Sequence, residues 1–115
     1  EESGPLGQIA DNQAPVISNV TVANVSASGA TISWQTDEGA SSQVEYGETT
    51  SYGSLSALET ALVTAHQIEL TGLQAGTTYH FRVHSQDAAG NLATSGDHTF
   101  TTGSAGASNL KARLE

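Results

Sequence analysis

The sequence predicts an all-β domain, an antiparallel β-sandwich of seven strands. Apolar and polar residues alternate with period 2 through most of the chain, and turn residues separate short runs that are rich in β-branched side chains. No window carries an apolar face at helical spacing that is long enough for a core helix. Only residues 55–63 (LSALETALV) are ambiguous, and we interpret them as an irregular connection or an edge strand.

The predicted strands share one pattern, with apolar side chains inward and polar side chains outward. Their ranges are 16–25, 30–36, 42–47, 66–70, 77–86 and 98–102, with a short strand or turn at 52–53. Residues 28–29 and 37–39 are the turns that join the first three strands. The inward side chains are Ile17, Val20, Val22, Ile32, Trp34, Val44, Tyr46, Ile68, Leu70, Tyr79, Phe81, Val83 and Phe100, whereas Thr31, Ser33 and Gln35 point outward.

The chain divides into one body and two ends. Residues 1–13 are acidic and glycine-rich and are predicted to be a flexible arm or the remnant of a cleaved expression tag. Residues 14–102 form the sandwich, and residues 103–115 form a linker or tail. With 115 residues, the chain has room for a single hydrophobic core.

Charge and composition exclude several classes of function. The chain has 12 acidic and 3 basic residues, for a net charge of −9, and two of the bases, Lys111 and Arg113, lie near the C-terminus. A nucleic-acid partner is excluded because its phosphates require several cations. Membrane insertion is excluded because no apolar run approaches the roughly 20 residues of a span. We expect a monomer, since the net charge opposes self-association, and the lack of cysteine excludes thiol chemistry.

Residues 72–83 (GLQAGTTYHFRV) combine a glycine turn with a buried tyrosine. Gly76 permits a turn conformation, Leu73 packs beneath the corner, and the hydroxyl of Tyr79 is placed to bond the backbone there. This segment resembles the corner and following strand of fibronectin type III domains, which are immunoglobulin-like sandwiches.

Other segments agree with this resemblance in order and spacing: 14–22, 32–34 (ISW), 44–47 (VEYG), 52–53 (YG), 85–91 (SQDAAGN) and 99–102 (TFTT). Together they cover residues 14–102. The variant is similar to bacterial and archaeal extracellular modules of secreted carbohydrate-active enzymes and to the N-terminal domain of purple acid phosphatases. The resemblance implies a structural core that includes Trp34, Tyr46, Leu73, Tyr79, Phe81 and Phe100.

One pole of the predicted sandwich collects oxygen-bearing side chains. They are Asp37 and Glu38 in one loop and Asp87 and Asn91 in another, and Ca²⁺ takes 6–8 oxygen ligands. The alternative is ordinary turn chemistry, in which Asp and Asn bond their own loop backbone. We expect turn residues here and therefore predict no metal.

The four histidines do not form a predicted metal site. His80 and His84 lie on one strand, and a rise of about 3.3 Å per residue separates their Cα atoms by about 13 Å, too far for one zinc ion. Both are expected to point outward beside Arg82. His66 is expected to be exposed, and His98 half-buried.

No catalytic motif is present, and no cofactor is predicted. Glu45 and Glu69 have the outward parity of solvated residues on different sheets, which is unsuitable for a glycosidase pair. Tyr52 is the one ring expected to be exposed, a poor platform for sugars.

The resemblance implies a non-enzymatic extracellular module that spaces or docks neighbouring domains of a secreted or cell-surface protein. Two alternatives remain open: an accessory domain of a secreted hydrolase, and a weak polysaccharide- or protein-binding module that uses the loops at 37–38 and 87–91.

Overall fold

The computed structural model describes residues 12–104, so most of both predicted ends lies outside the described residues. The strands are β1 (Ile17–Ala23), β2 (Ala30–Gly47), β3 (Ser54–Leu55), β4 (Glu59–Leu70), β5 (Thr78–Gln86), β6 (Leu92–Thr94) and β7 (His98–Thr101). All strand pairs are antiparallel. No helix within 12–104 has the length and apolar character needed to cross a membrane.

Strand β2 belongs to both layers of the sandwich. Its first part pairs with β1 and β4 in the first sheet. Its last part pairs with β3 and β5 in the second sheet, where β6 and β7 share the other edge of β5. The single long strand therefore determines how the two sheets face each other.

The predicted turn at 37–39 is wrong, because β2 runs through it. Register shifts between Gln35 and Ala40 and between Ala40 and Ser42 mark the bend where the strand leaves one sheet for the other. The turn-forming residues of this segment bend the strand without ending it, because strand pairing continues on both sides.

Two further features of the strands differ from the prediction. Residues 59–65 continue the strand that was expected to begin at residue 66, so part of the ambiguous segment is an edge strand of the first sheet. The short strand β6 follows the loop at 87–91 and was not predicted.

The core lies between the sheets and is built around aromatic rings. Trp34, Leu73, Tyr79, Phe81 and Phe100 are buried, and Tyr46 is partly buried and packs against them. Phe100 contacts both Tyr79 and Phe81, with ring centroids 5.7 and 5.8 Å apart.

Several polar side chains are also buried. Thr31 alternates with the inward Ile32 and so keeps its predicted outward parity, although it is buried between its neighbours in the sheet. Ser85 is fully buried, and its Oγ accepts a 2.8 Å hydrogen bond from Nε1 of Trp34, which links the two sheets. The bond satisfies the one polar group of the indole, which would otherwise be costly to bury.

Candidate functional site

The side chains at the pole weighed as a calcium site, Asp37, Glu38, Asp87 and Asn91, are engaged with the protein itself. Oδ1 of Asp37 accepts a 2.8 Å hydrogen bond from the backbone N–H of Val16. Oδ1 of Asp87 accepts from the N–H groups of Ala89 and Asn91, and its Oδ2 accepts from the side-chain amide of Asn91. Asp87 is therefore the organising residue of its own loop.

The structure does not gather these acids into a ligand set. Glu38 lies beside Asp37 within β2 and is half-buried. Within residues 12–104, no three His, Cys, Asp or Glu side chains are grouped so that they hold a metal ion.

The outward face of the second sheet carries a connected row of polar side chains, here called the polar ladder. Its members are Glu45, Tyr52, His80, Arg82, His84, Thr94 and Asp97. They come from β2, β5, β6 and the connections beside β3 and β7, and strand pairing places them side by side.

One half of the polar ladder is centred on Glu45. Its Oε1 accepts hydrogen bonds from Nε of Arg82 at 2.8 Å and from Nε2 of His84 at 3.0 Å. The Nδ1 of His84 lies 2.9 Å from the hydroxyl of Thr94. The hydrogen bond from Arg82, and next that from His84, lowers the pKa of Glu45.

The other half is centred on Asp97. One carboxylate oxygen accepts from the hydroxyl of Tyr52 at 2.8 Å, and the other lies 2.9 Å from Nδ1 of His80. The contact with His80 is the main cause that lowers the pKa of Asp97. Both carboxyl groups of the polar ladder are thus held ionised and hydrogen-bonded, which is unfavourable for a general acid.

Tyr52 joins the two halves. The Cζ atom of Arg82 lies 4.7 Å from the centroid of its ring, a cation–π contact. The ring of Tyr52, which was expected to be exposed, is therefore half-buried beneath the guanidinium group of Arg82. The backbone of Tyr52 has φ of 57°, an uncommon conformation for a bulky residue. Burial, followed by the hydrogen bond to Asp97, raises the pKa of Tyr52.

His66 is buried, and its expected exposure was wrong. The imidazole stacks on the indole of Trp34, with Nε2 2.8 Å from Oγ1 of Thr36 and Nδ1 2.6 Å from Oγ of Ser42. The hydroxyl of Thr36 donates to the carbonyl of Glu38, so it accepts from Nε2–H. Burial lowers the pKa of His66 and so favours the neutral ring, in which Nδ1 accepts from the hydroxyl of Ser42.

The sequence did carry a signal for this position. His66 shares strand parity with Ile68 and Leu70, which are both buried. Parity alone therefore places the side chain in the core, whereas its polarity suggested the opposite.

The other histidines follow their predicted positions. His80 and His84 are half-buried on the outward face of β5, on either side of Arg82. His98 is half-buried and its ring lies 5.3 Å from that of Phe81. Glu45 and Glu69 lie on strands of different sheets, and the structure does not bring them together as a catalytic pair.

A shallow groove of about 330 Å³ lies on the outward face of the first sheet. Its lining includes uncharged amide and hydroxyl side chains, namely Asn19, Thr21, Ser33, Gln35 and Gln67, together with Trp34, Ala65 and His66. The side-chain amide of Asn19 donates to that of Gln35, and Asn19 has φ of 54° next to the register shift in β1.

The first half of β4 is exposed on both of its faces. Every residue from 57 to 65 is exposed, and four large apolar side chains of the neighbourhood, Leu55, Leu58, Leu62 and Val63, are open to solvent. The sequence distinguishes the two halves in part: residues 66–70 alternate strictly, whereas Ala61, Leu62 and Val63 form an apolar run without alternation.

Comparison with curated proteins finds a relative in a polysaccharide-degrading enzyme. The chain is 38% identical over 96 residues to Endoglucanase B of Cellulomonas fimi. The aligned region is 80% of this chain and 9% of Endoglucanase B, so the chain spans a small part of that relative's length.

Comparison with solved structures shows the fold. The sensor domain of the anti-sigma factor RsgI4 of Pseudobacteroides cellulosolvens matches with a TM-score of 0.59 at 17% identity, over 82% of this chain and 99% of that domain. The fibronectin type III domain of human fibronectin type III domain containing protein 3 matches with a TM-score of 0.58 at 20% identity, over 80% and 86%.

A match to a family model shows the family to which the chain belongs. The model described as "Purple acid Phosphatase, N-terminal domain" matches residues 15–102, which is almost the whole of the described sandwich. The predicted fold and resemblance are confirmed: the chain is a fibronectin type III-like β-sandwich and belongs to the family of purple acid phosphatase N-terminal domains.

Proposed function

We propose that this chain is a non-catalytic extracellular module that spaces or docks neighbouring domains within a larger secreted or cell-surface protein. The observation that carries the proposal is the match to Endoglucanase B, in which the related segment is 9% of the length. A segment of that size is one domain among several. Endoglucanases cut glucan polymers, and structural glucans such as cellulose lie outside the cell membrane, which supports the extracellular assignment.

The surface chemistry supports a non-catalytic role. The titratable side chains of the polar ladder are hydrogen-bonded to one another, and its two carboxylates are ionised. The ladder ties β2, β5 and β6 to the connections beside β3 and β7, an arrangement that stiffens the second sheet. A stiff domain is what a spacer requires.

A domain exchange tests the spacer role. The related segment of Endoglucanase B is replaced either by this chain or by a flexible Gly/Ser linker of equal residue number, and the distances between flanking domains are measured by small-angle scattering. We expect a narrow distribution of distances with this chain and a broad one with the linker. Equally broad distributions would contradict the proposal, as would hydrolysis of carboxymethylcellulose or p-nitrophenyl phosphate by the isolated chain.

A second candidate is an accessory domain that assists a secreted hydrolase on its substrate. The groove on the first sheet favours it, because uncharged amides and hydroxyls are suited to neutral polyhydroxylated ligands. In the same exchange, an accessory role predicts that Gln67→Ala lowers activity on insoluble cellulose and leaves activity on soluble substrate unchanged. A pure spacer predicts no change with either substrate.

A further inference from the structure

The exposed arm, defined as residues 57–65, has an unpaired backbone edge. Within residues 12–104, β4 pairs with β2 alone, so its other edge presents N–H and C=O groups without a strand partner. The segment contains no proline or lysine, two residues that often block such an edge.

The exposed arm is also apolar. Leu58 and Leu62 are 55% and 49% exposed, Val63 is 38% exposed, and Leu55 of β3 is 60% exposed nearby in sequence. Exposed apolar side chains beside an open strand edge are typical of an interaction surface.

The negative charge around the exposed arm favours a positively charged partner. Glu59 begins β4 and Glu69 lies near its end, and both are exposed. Arg82 is the only Lys or Arg among residues 12–104, and its Nε is bound to Glu45. The net charge of −9 disfavours a second copy of the chain and attracts a cationic segment.

We propose that the free edge of the exposed arm docks an extended partner segment in which apolar side chains alternate with Lys or Arg. The segment adds as a strand beside β4, so that backbone hydrogen bonds supply binding and its apolar face covers Leu62, which alternates with Val63 and so lies on the opposite face of the strand from Glu69. Its cations face the glutamates of β4. The inference rests on the docking part of the proposed function, and the spacer role is tested separately by the domain exchange.

The test uses the whole ¹⁵N-labelled chain and a nine-residue capped peptide with Val at even positions and Lys, Thr, Lys, Thr, Lys at odd positions. We expect chemical-shift changes and slower amide exchange in residues 57–65, and weaker binding at higher salt. The same peptide with Glu in place of Lys, or with Pro at its centre, should not bind. Equal binding of the Glu peptide would overturn the assigned charge, and shifts confined to the polar ladder would overturn the location.

Two matched variants separate docking from stability. Leu62→Lys keeps the Cβ of residue 62, which lies close to Gly39 of β2, 3.4 Å from where a Cβ on that glycine would be, so the packing of β4 on β2 is retained. The variant should weaken peptide binding at least tenfold, because it removes the apolar contact. Leu92→Lys makes the same change at a similarly exposed leucine on β6 and should leave binding unchanged. Unchanged binding by Leu62→Lys would overturn the inference. Self-association through residues 57–65 in sedimentation would also overturn it, since the occupant would then be a second copy.

Discussion

The imidazole of His66 lies parallel to the indole of Trp34, with ring centroids 5.0 Å apart and an interplanar angle of 5°. The same imidazole touches Thr36 on one side of the bend in β2 and Ser42 on the other. A single side chain of β4 therefore holds the two halves of β2 at the point where the strand passes between sheets.

This burial predicts a pH dependence of stability. Burial lowers the pKa of His66 from 6.5, so the unfolded chain binds the proton first as the pH falls. The contribution of His66 to the free energy of unfolding is fully present above pH 6.5. It is lost as the pH falls from there through the pKa of His66 in the folded state. Denaturant unfolding between pH 8 and pH 5 measures it.

The control for this dependence is His66→Phe, which keeps an aromatic ring against Trp34 and does not titrate. Its free energy of unfolding should change less between pH 6.5 and pH 5 than that of the unmodified chain. Identical slopes would rule out His66 as the source. The lowered pKa values of Glu45 and Asp97 act in a separate window, below about pH 4.5, where stability falls as they are protonated.

Trp34→Ala should be among the most destabilising single changes. It empties a fully buried site and should cost about 3–5 kcal/mol of unfolding free energy. Ser85→Ala is the milder companion, since it leaves the indole N–H without its acceptor at a cost of about 1–3 kcal/mol. An unchanged unfolding midpoint in Trp34→Ala would contradict the inward position of β2.

Tyr79→Phe should destabilise the chain by about 1–3 kcal/mol, because the N–H of Gln74 loses the hydroxyl that accepts it at 2.9 Å. Tyr46→Phe is the matched control on a partly buried ring that packs edge-on against Tyr79. Urea denaturation should show a clearly larger loss for Tyr79→Phe. Equal losses of unfolding free energy in the two variants would show that the hydrogen bond of the Tyr79 hydroxyl adds no specific stability at this corner.

Gly47→Ala should open the connection between β2 and β3. A Cβ at this position would lie 1.9 Å from the carbonyl oxygen of Tyr52, so backbone must move, at a cost of about 1–3 kcal/mol. Gly96→Ala has no heavy atom within 4 Å of its added Cβ and should leave thermal unfolding nearly unchanged. Similar midpoints for the two variants would contradict the tight approach at Tyr52.

Calcium should have no specific effect on the loops that hold Asp37, Glu38, Asp87 and Asn91. Millimolar Ca²⁺ and Mg²⁺ in 150 mM salt should shift the thermal midpoint equally, because both ions only screen the net charge. The backbone N–H groups already bound to Asp37 and Asp87 compete with any ion. A larger shift with Ca²⁺, absent in Asp37→Asn, would establish a site.

The sequence by itself determined the fold class and most of the core. Period-2 alternation gave the buried faces around Trp34, Phe81 and Phe100, because successive side chains of a strand point to opposite sides. The glycine turn before Tyr79 indicated the corner, since its geometry depends on neighbours in the sequence. Both features are local, and local patterns are what a sequence displays directly.

The tertiary structure decided the rest. Residues 37–39 carry turn signals, and pairing with partners in two sheets keeps them within β2. Thr36 and Ser42 lie 30 and 24 residues from His66, yet they determine its burial and tautomer. Both halves of β4 pair with β2, yet every residue of the first half is exposed, whereas alternate residues from His66 onward are buried. In each case the deciding energy comes from contacts between distant segments, which alternation along one strand does not encode.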